Sequence, residues 1–343
     1  MQRSETYTSS NAAKSAAGLG QVMGTLGLSL PWILGPLAHA AGSGSSAEAS
    51  PNQLEEVTVS GVRSLLHDKL AEKEQNAPQS ITVVSSQVMQ SQAATSLEDA
   101  LRNVPGITLN AGEGAARGDT VNLRGFSAFN DFFLDGIRDA AVYTRDDFDV
   151  QSVEVLEGPS AVLFGRGSTG GVINQVSKAP GLHPFEVVTA QLGTNDLYRA
   201  TADLDTPISP TAAVRLNLMG QSAGVADRDL VRNRRWGVAP AVEFGIGERD
   251  TLILTYLHQQ QDDILDTGIP FVDGRPAPVP RDAFFGLAGD RGTTDDDILT
   301  ARFRHEFNDN LSIADTLRYA RYEFDYQFAA PNFGDDTPTS ATP

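Results

Sequence analysis

The sequence has no cysteine among its 343 residues. That removes disulfide cross-links and thiolate metal sites together, so any exported form of the chain rests on packing or on closure of a sheet. Positive charge is also short, with 26 Lys and Arg against 44 Asp and Glu and a formal net charge of -18. Such a balance repels a phosphate backbone and excludes nucleic acid as a partner. Histidine is scarce as well. The five present, His39, His67, His183, His258 and His305, are scattered and make neither a Ser-His-Asp constellation nor a metal-ligand spacing. No catalytic residue, metal ligand or resident cofactor is therefore expected. A helix needs about 20 apolar residues to span a bilayer. The longest apolar run, Val22 to Leu37, is shorter and is broken by Gly24, Gly27, Pro31, Gly35 and Pro36. If the chain crosses a membrane, it must do so as a closed β-barrel, the other architecture that satisfies every backbone amide in lipid.

What is present is ordered along the chain. Arg3 and Lys14 precede the apolar run, and the small-x-small triplet Ala38-His39-Ala40 follows it, so residues 1–40 read as an export signal. Residues 41–75 begin with Gly, Ser and Ala and read as a flexible leader. Residues 76–182 have the texture of a small α+β domain. Ile81 to Val84 is strand-forming, and Ser96 caps a helix with Asp99 at its third position and Leu97, Ala100 and Leu101 on one face. Pro105-Gly106 stops that helix, and short strands are expected at 107–109, 121–123, 132–134, 153–156 and 172–176.

From residue 183 to 343 the pattern becomes long alternation. Val214, Leu216 and Leu218 oppose Arg215 and Asn217; Leu299, Ala301, Phe303 and Phe307 oppose Thr300, Arg302, Arg304 and Glu306. About seven strands are expected, near 185–194, 197–206, 212–225, 234–247, 250–264, 296–308 and 311–328. Alternation with charges on one face fits the start of a transmembrane barrel; by itself it fits a half-exposed antiparallel sheet equally well. Seven strands do not make the even set of a bacterial outer-membrane barrel, and Asp335 to Pro343 is loop-like. The chain reads as truncated.

Gly165, Gly167 and Gly170 satisfy the G-x-G-x-x-G spacing of a dinucleotide site. That site needs a helix after the glycines, whereas Val172 to Val176 is a strand pattern. The glycines are expected to serve backbone turns, and no enzyme is expected. The acidic run Asp295 to Asp297 reads as a solvated loop.

Five motifs then occur in a telling order. Glu55, Glu56, Val57, Thr58 and Val59 follow the leader and resemble the TonB box of TonB-dependent receptors. Val121 to Phe126, Phe133 to Ile137, Val153 to Pro159 and Leu163 to Asn174, ending in Ser177 to Pro180, resemble that family's plug motifs. The resemblance implies a plug domain followed by the first strands of a barrel of 22 strands. It implies no enzyme but a receptor in the Gram-negative outer membrane for a scarce ligand, energised by TonB with ExbB and ExbD. The box also has suitable chemistry, because Val57 and Val59 alternate with Thr58 in a tethered segment able to add a strand to a partner sheet. The segment around Arg138, Tyr143 and Arg145 is similar to that of siderophore receptors, in particular ferric-catecholate ones. Those three residues are candidates to meet an anionic aromatic chelate by charge and cation–π contact, unless Asp139, Asp146 and Asp147 neutralise the arginines. Arg124 and Arg166 are expected to be structural, pairing with acids on the barrel wall. Alternatives are a non-transporting remnant, or a receptor for cobalamin, haem or an oligosaccharide.

Overall fold

A computed structural model describes residues 80–110, 118–158, 164, 169–272, 275–287, 289–308, 311–327 and 329, with the backbone alone of 24–28. The export signal lies outside the described residues apart from one strand, β1 (Gly24–Leu28), and the TonB-box segment and Arg166 lie wholly outside them.

The first unit is built from β2 (Ile81–Ser85), α1 (Ser86–Ser91), α2 (Leu97–Leu101), β3 (Ile107–Leu109), β4 (Val121–Leu123), β5 (Phe126–Ser127), β6 (Phe132–Leu134), β7 (Ile137–Arg138), β8 (Val150–Glu157) and β9 (Gly171–Ser177). Helix α2 forms where the sequence places it, with the Ser96 hydroxyl accepting from the Asp99 N–H at 3.2 Å. Helix α1 was not anticipated; Ser85 caps it by the same device, accepting from the Val88 N–H. The strands form a five-stranded mixed sheet in the order β2-β8-β9-β6-β7 and a three-stranded sheet β3-β4-β5. Strands β8 and β9 are buried nearly throughout. Met89, Leu97, Leu101, Val121, Leu123, Val153, Val155 and Ile173 belong to one core cluster. Phe133, Leu156, Phe164 and Val172 belong to a second. Asp135 (φ 50) and Gly136 (φ 77) make the two-residue turn between β6 and β7, the conformation that a type I′ hairpin demands. Arg124 also serves its own domain through the backbone, with φ 54 and its N–H donated to the Gly106 carbonyl at 2.7 Å.

The second unit is an antiparallel meander. Its seven strands are β10 (Phe185–Gly193), β11 (Leu197–Ser209), β12 (Ala212–Gly224), β13 (Arg232–Phe244), β14 (Asp250–Ile264), β17 (Arg291–Asn308) and β18 (Leu311–Gln327), with the small hairpin β15 (Phe271–Val272) and β16 (Arg275–Pro276) between the fifth and sixth. All seven expected strands are present. Strand β1 pairs with the outer edge of β10, where an unpaired row of amides is a template for any nearby extended segment. Residues 210–211, 245–249 and 309–310 link strands at one end, while 194–196, 225–231 and the much longer 265–290 link them at the other.

The wall inverts the usual rule for a soluble sheet. Val214, Leu218, Leu254, Leu299, Phe303 and Leu317 face outward and are exposed, while Asn217, Arg235, Gln259, Asp263, Asp296 and Thr300 face inward and are buried. The α+β unit sits against that inner face. Phe148 and Leu134 pack with Met219, Ala239, Leu257 and Ile298 of the wall, and the Phe148 ring lies over Gly237, where a Cβ would come within 2.8 Å of it.

Gly171 marks the tightest backbone approach between two central strands. Its φ is 144, and a Cβ there would meet the Leu156 carbonyl oxygen at 2.1 Å. Gly171→Ala is expected to destabilise the α+β unit by about 3 kcal/mol or more, read as a lower urea midpoint with accelerated proteolysis confined to residues before 182.

Candidate functional site

The chemistry of the molecule concentrates where residues 135–149 meet the wall. Asp146 is at its centre. Its carboxylate accepts from Arg199 Nη1 at 2.8 Å and Nη2 at 2.6 Å, and Arg235 Nη1 stands 3.4 Å away. Arg199 Nη2 also reaches Asp147 at 2.9 Å. Both arginines belong to wall strands, β11 and β13, at inward positions of the alternation. From β14, Gln259 donates to the Thr144 carbonyl at 2.7 Å and Gln261 donates to it at 2.5 Å. Lower on the wall, Lys178 donates to the Phe148 carbonyl at 2.7 Å and pairs with Asp203 at 2.9 Å.

Arg145 turns the other way, into its own domain. Its Nε donates to Asp139 at 2.9 Å, Nη1 lies 3.4 Å from Asp119, and Nη2 donates to the Ala141 carbonyl at 2.9 Å. The guanidinium carbon sits 4.5 Å from the Phe132 ring centroid and 4.4 Å from that of Tyr143. The Tyr143 hydroxyl donates to Asp139 at 2.8 Å, and Tyr322 of β18 donates to the other Asp139 oxygen at 3.1 Å. Of the three candidate ligand residues, Tyr143 and Arg145 are therefore enclosed, at 3% and 2% exposure. Arg138 keeps about a third of its side chain in solvent. It lies 5.2 Å from the Phe133 ring centroid, is hydrogen-bonded to the Asn130 carbonyl, and has Asp131 at 3.9 Å. Asp139 neutralises Arg145 as the sequence allowed. Asp146 and Asp147, however, are bound by Arg199, which the sequence analysis passed over. Its available signal was a cation at an inward position of an amphipathic strand.

Burial shifts the acids of this junction upward. Asp119 is pushed up to about 6 by burial, against the pull of Arg145, and Asp149 to about 7 by burial against Lys178. Burial and then the neighbouring Asp146 raise Asp147, and burial and then Asp119 raise Glu98 to about 7. For Asp146 burial also acts upward, but Arg199 outweighs it and holds the carboxyl below its ordinary value. The Tyr143 phenol is raised well above its ordinary value by burial and then Asp139, so it remains a donor.

Two measurements follow from this geometry. Removing one partner of a buried ion pair strands the other, so Arg199→Ala is expected to cost about 3–5 kcal/mol, whereas Arg291→Ala, from the exposed pair with Asp325, costs less than about 1 kcal/mol. Equal midpoints for the two variants in urea unfolding would count against the junction described. The second concerns pH. Acids raised in the folded state bind protons there that the unfolded chain, with carboxyl pKa values of about 4, has already released. Their contribution is fully present below pH about 4 and is lost as pH rises through about 6 to 7. Asp146 acts oppositely and weakens the fold only below pH about 4. The thermal midpoint is expected to fall from pH about 5 to about 8, and a rising midpoint over that interval would contradict the assignment.

The sequence profile of the TonB-dependent receptor plug domain matches residues 73–172. The chain is 39% identical over 279 residues to the catecholate siderophore receptor Fiu of Escherichia coli K12, covering 76% of this chain and 37% of that protein. It is 34% identical over 267 residues to the probable TonB-dependent siderophore receptor PiuA of Acinetobacter baumannii, covering 75% and 36%. Among solved structures, the closed form of the ferric-catecholate import receptor Fiu aligns with a TM-score of 0.71 at 37% identity, covering 75% of this chain and 39% of that one. The PiuA crystal structure aligns with a TM-score of 0.74 at 33% identity, covering 79% and 40%. The chain thus spans about two fifths of the length of the relatives it matches. With the plug profile matched over 73–172 and an α+β unit seated against an antiparallel wall whose apolar face points outward, the chain belongs to the TonB-dependent receptors.

Proposed function

We propose that this protein is an outer-membrane receptor for high-affinity uptake of a ferric siderophore of the catecholate type, energised through TonB with ExbB and ExbD. The observation that carries the reading is the junction itself: a plug pinned by charge to the inner face of a wall whose outer face is apolar. An inverted sheet of this kind suits lipid outside and a wet lumen inside. The end with connections 210–211, 245–249 and 309–310 is assigned to the periplasmic side and the end that carries the long connection 265–290 to the outside, following the usual asymmetry of such barrels. Under that orientation Asp139, Thr144 and Asp146 meet the wall in its outer half.

Arg138 is the proposed ligand-facing residue, supplying a cation that keeps solvent access. Arg145 and Tyr143 are proposed to act on the ligand only through the loop that they hold, since their own polar groups are occupied. Glu55, Glu56, Val57, Thr58 and Val59 are the proposed docking strand for TonB. The assignment to ferric catecholates follows likeness to Fiu, which is described as a ferric-catecholate import receptor, together with the cationic and aromatic character of the Arg138 neighbourhood. A ferrioxamine B receptor of Salmonella typhimurium also matches, at 27% identity, so a ferric hydroxamate is the comparison ligand in the test.

Deleting residues 55–59 is expected to leave ferric-catecholate binding at the cell surface intact and to abolish accumulation of iron. Arg138→Ala is expected to weaken that binding by about tenfold or more, the usual worth of a charge-assisted contact. Uptake that survives the deletion would overturn the TonB assignment, and preferential binding of the ferric hydroxamate would overturn the ligand class.

A further inference from the structure

We infer that the outward face of β11–β14 and β17 is a docking site for one multiply acylated, phosphorylated lipid of the outer leaflet, with its phosphates on Arg232 and Arg234 and its chains in an apolar groove below them; the leaflet, though not the site, rests on the receptor reading above. The outward row of β13 begins Arg232, Arg234, Trp236, Val238 and Pro240. Both arginines are exposed, and neither guanidinium has an ion-pair partner among the described residues. From β12 the small residues Gly224 and Ser222 stand opposite them. From β14 stand Ile264, opposite Arg232, and Asp262, opposite Arg234. Two cations against one acid leave this patch positive, an exception in a chain of net charge -18. A basic patch beside an apolar membrane-facing surface is the chemistry that recognises an anionic lipid.

Below the arginines the surface turns apolar and hollow. Trp236 marks the boundary: its ring is 47% exposed, and its indole N–H donates to Gln260 at 2.6 Å, the arrangement of an aromatic side chain at the level between head groups and hydrocarbon. Beneath it lies a groove of about 560 Å³ bounded by Leu204, Leu216, Pro240, Val242, Leu254 and Leu299. These side chains come from five adjacent strands, all at outward positions of the alternation. Pro240 stands on the middle strand, with a shorter side chain than Leu216, its partner in register. Pairing of β13 with β14 is interrupted at Ala239 and Pro240, as the missing N–H of a strand proline requires.

The dimensions fit one lipid across both features. From Arg234 to Pro240 is about 20 Å along a strand, and a tilt of about 35–45° makes that a depth of roughly 15 Å. That depth is one leaflet of a hydrocarbon core about 30 Å thick, so chains that start from phosphates at the arginines end in the groove. Five strands about 4.8 Å apart make the groove roughly 19 Å across, room for several chains side by side. The two guanidinium forks, about 7 Å apart on one face, suit a head group with two phosphates. Lipid tails are as apolar as leucine, so the groove adds no hydrophobic drive over ordinary lipid. Charge supplies the preference, and the shape of the groove fixes where the chains lie.

The deciding measurement is native mass spectrometry of the purified, delipidated protein in detergent, titrated with bis-phosphorylated lipid A or with phosphatidylglycerol. The parent protein is expected to retain one lipid A saturably and to prefer it to phosphatidylglycerol. Arg232→Gln combined with Arg234→Gln is expected to weaken retention by roughly tenfold or more, each cation near a membrane being worth about a factor of five. Pro240→Leu, which fills the groove without changing charge, is expected to weaken it by about threefold. Arg321→Gln, on an outward arginine of β18 already paired with Glu323, is expected to leave it unchanged. Equal retention by the parent and the double variant overturns the site. Unchanged retention by Pro240→Leu overturns the seating of the chains, and equal retention of phosphatidylglycerol overturns the choice of lipid. A parent protein that imports a ferric tris-catecholate into cells but retains no lipid A overturns the site and leaves the receptor reading in place. One that retains lipid A through the two arginines but imports no iron complex overturns the receptor reading and leaves the lipid site in place.

Discussion

The structure depends on an inversion: the wall carries its apolar side chains on the outside and buries its polar ones. A soluble sheet hides Leu and Phe, and its polar groups meet water. Here Asn217, Gln259, Asp296 and Thr300 are the hidden ones, and each buried polar group needs a partner or becomes a penalty. The plug supplies such partners. Thr144 offers its carbonyl to two glutamines, Asp146 offers its carboxylate to Arg199, and Lys178 spans from the Phe148 carbonyl to Asp203. Hydrophobic contact contributes a smaller patch around Phe148 and Leu134, and it works because Gly237 leaves room for the Phe148 ring.

That inversion also explains what the sequence revealed. Strict alternation is a local property, so all seven strands could be located, with β14 correct at both ends. Strand β17 begins at Arg291 rather than at the expected 296. Its first turn of pattern, Gly292 to Asp297, is polar on both faces, because Thr293, Asp295 and Asp297 continue the outward row beyond its apolar part. Pairing with β14 persists there through Asp263 and Gly292, since backbone hydrogen bonds do not require apolar neighbours. Strand β13 stops at Phe244, short of the expected 247, because Gly245 and Gly247 turn the chain with φ 73 and 81. Helix α1 escaped notice because six residues carry too little periodicity.

The junction was only half legible. Ordered motifs marked the plug, and the arginines at 138 and 145 stood out by charge. Which acid pairs with which arginine is a tertiary fact. Asp139 and Asp146 flank Arg145 in sequence, yet one binds it and the other crosses to Arg199, fifty-three positions away. No spacing rule encodes that choice. The cations that decide it sit alone in otherwise ordinary strands, and their meaning appears only when the inward face of the wall is known to be occupied.

A junction of this composition differs from an apolar one in how it separates. Buried ion pairs add little net stability over apolar packing, because desolvation offsets most of their attraction, but they define one arrangement here, in which Arg199 takes Asp146 and Asp147 together and also reaches Gln221 on the next strand. They can also be replaced one at a time by water, which satisfies a released carboxylate or guanidinium nearly as well as the lost partner does. Two apolar faces of equal area gain no such substitute when parted. Where the plug is held by Asp146, Thr144 and Lys178, its docking is specific and its contacts can be exchanged for water in small steps. The acids that burial holds partly protonated around it, Asp119 and Asp149, regain their charge as those steps admit solvent, which favours the parted state further.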